Sequence, residues 1–97
     1  MIVDLTVPAD PRLVEADNFT GFHGVAARSA TFATLASGFT IDAEHLWVPV
    51  EWLEALGRDY DAQWRDNLGT MLRYAERKGW IDHSRKAVRA HVDWSDA

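Results

Sequence analysis

The chain of 97 residues contains no cysteine. This absence excludes a disulfide framework, a thiolate metal site and a cysteine nucleophile, so the folded state must rest on packing, with self-association as one way to add to it. The sequence also lacks the run of about 18 apolar residues that a membrane-spanning helix needs. Its N-terminus has neither the basic region nor the long apolar run of a secretory signal. We therefore expect a cytoplasmic protein with no membrane partner.

Proline and glycine are also scarce, with three and six residues, whereas hydrophobic residues make up 47% of the chain and charged residues 26%. These values are typical of a globular protein and argue against disorder. A chain of this length buries roughly 60–65% of its unfolded surface, which is enough for one modest core. We expect residues 1–97 to form a single small domain.

Positive charge is scarce in the first part of the chain. Residues 1–60 have a net charge of −6, and residues 61–97 have a net charge of +1. Within residues 73–89, six basic side chains stand against two carboxylates. An acidic protein surface or a polyanion would meet only this basic cluster favourably. We expect a partner to bind its members, which are Arg73, Arg77, Lys78, Arg85, Lys86 and Arg89.

The N-terminal segment has the alternation of a half-buried strand over residues 1–7, and the prolines that follow end it. Residues 8–24 are rich in Pro, Asp, Asn and Gly and favour a long loop, with room for one helical turn at 12–16. Residues 25–37 favour a helix because they are rich in alanine and are bounded by glycines. A strand at 30–35 is the alternative, since threonine and phenylalanine there favour β structure.

Shorter signals occupy the middle of the chain. Residues 39–41 favour a short strand, and residues 42–45 resemble the start of a helix. Residues 50–56 predict a second short helix, which Pro49 opens and Gly57 closes.

The strongest helix signal covers residues 61–78. Its apolar residues recur from Trp64 at the i, i+4, i+7, i+8 and i+11 positions of one helical face. Asp61 is placed to cap the N-terminus. Gly79 is expected to end the helix with a positive φ, so that Trp80 folds back over the last turn.

A final alternation at residues 87–94 predicts the last strand, after a short strand at Ile81 and a turn at 82–84. Together these elements predict an α+β fold with an N-terminal strand, about three helices, and a C-terminal β element that pairs with the N-terminal strand. A helix followed by a basic β-hairpin is also the layout of a winged helix, so the second half is compatible with that fold.

The loop at residues 18–24 is the candidate ligand site, with Asn18, Gly21, His23 and Gly24 as its residues. Its glycines let backbone N–H groups approach a ligand, and it leads into the N-terminus of a predicted helix, which attracts anions. His23 can act as an acid–base group or as a ligand. In the alternative interpretation, the glycines only make turns and His23 is solvated.

Metal-binding and catalytic patterns are incomplete. Asp42, Glu44 and His45 offer metal donor atoms, but no H-x-x-x-H or H-E-x-x-H pattern completes a site, and helix capping explains the carboxylates. No serine lies in a nucleophile elbow. Residues 17–21 resemble a string near the start of D-alanyl-D-alanine dipeptidases, but the Ser-x-His-x-x-Gly-x-Ala-x-Asp metal motif of that family is absent. We expect no metal and no cofactor, and an enzyme is not the favoured interpretation.

Five tryptophans in so short a chain are unusual. Most of them are expected in the core, because each ring buries a large apolar area. Trp47 and Trp52 flank Pro49, so the chain is not expected to bury both rings. One of them is the candidate for a partner contact.

The favoured hypothesis is a small cytoplasmic binding or assembly module, homodimeric and free of cofactors, whose acidic first half and basic cluster supply complementary surfaces. The partner is a second copy or another protein. The first alternative is a winged-helix-like nucleic-acid-binding protein. The second alternative is a small ligand-binding domain or enzyme that uses the Gly21 to Gly24 loop and His23.

Overall fold

The fold is built on one mixed β-sheet. The computed structural model describes residues 1–32 and 34–95, and the strands within them are β1 (Ile2–Leu5), β2 (Arg12–Val14), β3 (His23–Ala26), β4 (Thr40–Asp42), β5 (His45–Pro49), β6 (Ile81–Asp82) and β7 (Ala87–Trp94). Their order across the sheet is β2, β1, β3, β7, β5 and β4. The pairs β1–β3 and β3–β7 are parallel, and the other pairs are antiparallel.

Strand β7 is the centre of this sheet. Along one edge it pairs with β5. Along its other edge it pairs first with β6, where Ile81 lies opposite Val88, and then with β3, where His23 lies opposite His91. The pairing partner of β7 therefore changes near the middle of the strand, and this change leaves a gap in the sheet.

Within the described residues, two α-helices accompany the sheet. They are α1 (Val50–Leu56) and α2 (Ala62–Arg77), and short 3-10 helices occur at Arg28–Phe32 and Gly57–Asp59. The sequence prediction for α1 and α2 is confirmed within one or two residues. Neither of these helices is long and apolar enough to cross a lipid bilayer.

The ends of α2 follow from its local sequence. The Asp61 carboxylate accepts a hydrogen bond from the Trp64 N–H at 2.9 Å, so the predicted N-cap is confirmed. At the other end, Gly79 has a φ of 78°, and the Trp80 N–H donates to the Ala75 carbonyl at 2.9 Å. This is the hydrogen bond of a Schellman motif, which confirms the predicted helix stop.

The hydrophobic core lies on one face of the sheet, called the inner face here. Because side chains alternate along a strand, Val3, Leu46 and Val88 share this face, and each is 1% exposed or less. Leu53 of α1 and Leu68 of α2 pack in the same core cluster. Residues that alternation directs to the outer face are half-buried or exposed, apart from Ala87.

The predicted fold class is wrong. An N-terminal strand, about three helices and one C-terminal β element were expected, but the described residues form a seven-stranded mixed sheet with two α-helices. Strand β3 separates β1 from β7 and is parallel to both, so the expected pairing of the first and last strands does not occur. The winged-helix interpretation is also wrong, because β7 lies in the middle of the sheet and is not a projecting wing.

The helix predicted at residues 25–37 accounts for most of this error. Its first residues belong to β3, and a 3-10 helix follows at Arg28–Phe32, which also replaces the start of the alternative strand at 30–35. Ala33, which both predictions include, lies outside the described residues. Ala26 and Ala30 are each 1% exposed, so these small side chains are used for close packing on the sheet. Tertiary packing therefore overrides the helix propensity of alanine.

Two smaller predictions also fail. The expected helical turn at 12–16 is strand β2, and Glu15 leaves it with a φ of 50°. The helix start expected at 42–45 is instead the turn of the β4–β5 hairpin, with Ala43 at a φ of 55°. Both turns are sharp because one residue adopts the left-handed conformation.

Candidate functional site

A groove opens where β7 changes partner from β6 to β3. It has a volume of about 370 Å³, which lies in the range of small-molecule sites. We call it the β7 groove; its walls are α2, the loop before β3 and the middle of β7. The side chains that dominate it are Phe19, Phe22, Met71, Tyr74, Trp80 and Arg89.

The C-terminal turn of α2 builds one wall. The Schellman motif at Gly79 reverses the chain, and the Trp80 carbonyl then accepts a hydrogen bond from the Arg89 N–H of β7 at 2.8 Å. The Trp80 ring meets the Tyr74 ring edge-on, with 5.9 Å between the ring centres. Two aromatic rings are therefore fixed beside the gap by backbone hydrogen bonds and by each other.

The loop before β3 builds the opposite wall. The buried Trp64 indole donates to the Ala16 carbonyl at 2.9 Å, and its ring packs against Phe19 with 5.8 Å between centres. Within the loop, the Asn18 side-chain oxygen accepts hydrogen bonds from the backbone N–H and the hydroxyl of Thr20. The core of the protein therefore holds this wall in place through Trp64.

The electrostatics of the groove differ from those of the whole protein. Although the chain has 15 acidic residues, no described residue that lines the groove is an aspartate or a glutamate. Its charged group is Arg89, whose guanidinium carbon lies 6.0 Å from the centre of the Trp80 ring. Arg77 and Lys78 lie at 5.9 and 5.5 Å from the Tyr74 ring centre. These distances are within the range of cation–π contacts.

A row of three histidines crosses the outer face beside the groove. His23, His91 and His45 lie opposite one another on β3, β7 and β5, and the last two also line the groove. The Asp93 carboxylate lies 3.5 Å from His23 Nε2 and 3.4 Å from His91 Nε2. The other ring nitrogen of His23 lies 2.7 Å from the Gly21 carbonyl.

This cluster offers hydrogen-bonding groups rather than a preformed metal centre. Among the residues that the structure describes, no group of three or more His, Asp or Glu side chains is placed to hold a metal ion. Among the donors considered in the β4–β5 turn, the Glu44 carboxylate accepts a hydrogen bond from the Trp94 indole at 2.9 Å.

The predicted loop site is only partly assembled. Gly21 lines the β7 groove, and the Asn18 carbonyl accepts a hydrogen bond from the N-terminal ammonium group of Met1. His23 begins β3 and belongs to the histidine row. Gly24 serves packing, because a Cβ there would come within 2.9 Å of the Leu46 side chain. The loop leads into a strand, so the expected anion site at a helix N-terminus is wrong.

The basic cluster is divided between two sides of α2. Arg77, Lys78 and Arg89 surround the Tyr74 and Trp80 rings, as described above. Arg73 and Lys86 line a second depression, which we call the α1–α2 cleft, together with three glutamates. Arg85 pairs with Asp82 at 3.4 Å in the β6–β7 turn. The six residues therefore do not form one continuous cationic surface.

The two candidate tryptophans also separate. Trp47 lies opposite Arg89 in the sheet and is half-buried on the outer face. Trp52 packs edge-on against Phe39, with 5.2 Å between ring centres. Trp52 therefore contributes to the core, and a partner contact at Trp47 stays a prediction.

Sequence reasoning missed most of the aromatic lining. Met71 lies on the periodic face of the predicted helix and Tyr74 lies in its last turns, and periodicity alone does not distinguish a core face from a groove wall. The His-x-Asp pattern at 91–93 was visible as strand alternation, but its contact with His23 needs the register of β3 against β7.

Comparisons with protein families, with curated proteins and with solved structures give no match for this chain.

Proposed function

We propose that the protein is a small binding module whose ligand occupies the β7 groove. The observation that carries this proposal is the lining: four aromatic rings and one methionine surround a depression of about 370 Å³ at the surface. Binding sites are typically concave, mostly apolar and furnished with a few polar groups. Here Arg89, His45 and His91 supply those polar groups.

The exposure of Tyr74 supports the same proposal. Tyr74 is 47% exposed although it belongs to the helix that supplies Trp64 and Leu68 to the core. It therefore contributes less to core packing than they do. With Trp80 it presents apolar area to the groove, and rigid aromatic rings provide such area at a low cost in conformational entropy.

The experiment is a titration with N-phenyl-1-naphthylamine, a neutral apolar probe, followed by NMR of the five indole N–H groups. We expect the Trp80 indole signal to shift and the Trp94 signal to stay, because the Trp94 N–H is bonded to Glu44 away from the groove. A matched pair of variants uses neighbouring residues of α2. Met71 lines the β7 groove and Leu72 lines the α1–α2 cleft.

Met71→Glu should weaken probe binding by about tenfold or more, because an apolar probe would desolvate the new carboxylate. Leu72→Glu should leave binding unchanged. The proposal is overturned if the probe does not bind the wild-type protein, or if both variants weaken binding equally.

Self-association stays a proposal beside this one. The outer face of the sheet supports it, since Ile2, Val14, Val25 and Trp47 lie there half-buried or exposed. The nucleic-acid alternative assumed a winged helix, which is not the fold of this protein. Two of its basic residues, Arg73 and Lys86, also lie beside carboxylates in the α1–α2 cleft.

A further inference from the structure

We propose that the ligand of the β7 groove is an anion: an apolar, ring-sized body that carries one carboxylate, phosphate or sulfonate group bound by Arg89. This inference rests on the proposed function and adds the chemical class of the ligand. It follows from the charge of the groove, from the state of Arg89 and from the position of that residue in the sheet.

The β7 groove differs from the rest of the protein in its lack of carboxylates among the described residues. The protein has a net charge of −5, so most of its surface repels an anion. The described lining of the β7 groove contains no carboxylate and one arginine. An anion is therefore attracted to this part of the surface more than to its surroundings, and apolar walls strengthen that attraction by excluding water.

Arg89 differs from other arginines of the protein in its ion pairing. Arg12 pairs with Asp10 at 3.0 Å and Arg85 pairs with Asp82 at 3.4 Å, but within residues 1–32 and 34–95 Arg89 takes part in no ion pair. Its guanidinium carbon lies 6.0 Å from the centre of the Trp80 ring. A half-buried guanidinium retains five N–H donors that match the oxygens of a carboxylate or phosphate.

The position of Arg89 in the sheet also suits an anion. Arg89 lies in the central strand β7, opposite Trp47, and its backbone N–H is bonded to the Trp80 carbonyl. The sheet therefore fixes its Cα, and the Trp80 ring lies against the side chain. A cation held on a rigid element binds an anion at a smaller cost in entropy than a cation at the end of a mobile loop.

One carboxylate lies beside the groove, in contact with its His91 side chain. Asp93 is 3.4 Å from His91 Nε2 and does not line the groove. The apolar body is therefore expected along Phe22, Tyr74 and Trp80, with its charged group directed to Arg89 and away from Asp93.

The test compares two probes with the same aromatic body. Anilinonaphthalene sulfonate carries a sulfonate, and N-phenyl-1-naphthylamine does not. We expect the sulfonate probe to bind at least about fivefold more tightly and to weaken as salt is raised, because salt screens charge interactions. The neutral probe should be insensitive to salt.

Arg89→Gln should weaken binding of the sulfonate probe by about tenfold, the usual scale for losing a charge-assisted hydrogen bond, and leave the neutral probe unchanged. Arg89→Lys keeps the charge without the planar fork and should give an intermediate affinity. Arg12→Gln, in strand β2 at the edge of the sheet, is the matched control and should change neither probe. Circular dichroism checks that each variant is folded.

The outcomes separate the two proposals. If neither probe binds, the proposed function fails and this inference fails with it. If both bind with equal affinity, the groove is a binding site but not an anion site. If the sulfonate probe binds more tightly but Arg89→Gln binds it as well as the wild-type protein does, the anion is held elsewhere and the inference is overturned.

Discussion

The β7 groove and the α1–α2 cleft lie on either side of helix α2 and have similar volumes, about 370 and 440 Å³. Their chemistry differs. The cleft is lined by Glu51, Glu54 and Glu76 together with Arg73 and Lys86, so its cations are outnumbered by carboxylates. The groove has aromatic walls and one arginine, Arg89, which forms no ion pair with any residue that the structure describes. The two depressions therefore do not differ much in size; what distinguishes the proposed binding site is an arginine beside partly exposed aromatic rings.

Helix α2 supplies residues to both depressions. Met71 and Tyr74 face the groove, while Leu72 and Arg73 face the cleft. Successive residues of a helix differ by about 100° around its axis, so neighbours in sequence reach different surfaces. A single substitution in α2 can therefore alter one depression and leave the other as a control.

The largest expected effect comes from the residue that anchors one wall of the groove. Trp64 is 3% exposed, stacks on Tyr60 at 4.4 Å, and donates to the Ala16 carbonyl. Trp64→Ala should lower the free energy of unfolding by about 4 kcal/mol, because it leaves a large cavity. It should also release the loop before β3 and abolish probe binding. Urea denaturation and the naphthylamine titration measure the two effects.

Trp64→Phe is the control for this prediction. It keeps most of the ring but loses the hydrogen bond to the loop, so we expect a cost of about 1–2 kcal/mol with weakened binding. Full binding in Trp64→Ala would show that the groove does not depend on this wall, and the contrast between groove and cleft would lose its structural basis.

The reliable sequence predictions were those that depend on neighbours in the chain. The N-cap, the apolar face and the terminating glycine of α2 all lie within one segment of the chain. Strand β7 likewise shows its own alternation of apolar and polar residues. Strand β3 has no such signal. Gly24 is small because the Leu46 side chain of β5 packs against it, and this reason is invisible until the sheet is assembled.

The candidate site was predictable to a similar extent. Sequence reasoning selected Gly21, His23 and Arg89, and these residues lie in or beside the β7 groove. The sequence does not predict that these residues lie near one another, because their proximity depends on the change of pairing partner along β7. It also grouped Arg73 with Arg89 by sequence distance, although helix geometry directs them to different depressions.

A smaller effect tests how the chain turns Trp80 toward the groove. Gly79 has a φ of 78°, and an added Cβ would meet no atom within 4 Å, so the cost of Gly79→Ala is one of backbone conformation. We expect a loss of about 1 kcal/mol. Gly69 lies inside α2, where an added Cβ would be in ordinary contact with Arg73. Gly69→Ala should stabilise the protein by about 0.5–1 kcal/mol.

Chemical denaturation measures the free energy of unfolding of both variants, which should fall in Gly79→Ala and rise in Gly69→Ala. If Gly79→Ala were neutral, the left-handed turn would not be required at that position. The Trp80 wall of the groove would then be held by its contacts with β7 alone.

The smallest effect concerns the turn at the end of the α1–α2 cleft. The Asp82 carboxylate accepts hydrogen bonds from the Ser84 hydroxyl at 2.9 Å and from the backbone N–H groups of Ser84 and Arg85. The hydroxyl first, and then the Arg85 N–H, hold the pKa of Asp82 below its ordinary value, because they stabilise the charged form.

Since the folded state lowers this pKa, the carboxylate contributes stability at a pH above its ordinary value, and the contribution is lost as the pH falls through the folded pKa. We expect the β6–β7 turn to loosen at acidic pH, on the cleft side where His83 and Lys86 lie, before the groove is affected. NMR titration from about pH 6 to about pH 2 checks this: the Asp82 carboxyl carbon reports the pKa, and the backbone N–H signals of Ser84 and Arg85 report the turn in both the wild-type protein and Asp82→Ala. Equal loosening in both proteins would assign the acid effect to other carboxylates, and a simultaneous shift of the Trp80 indole would show that the groove and the cleft are coupled through β7.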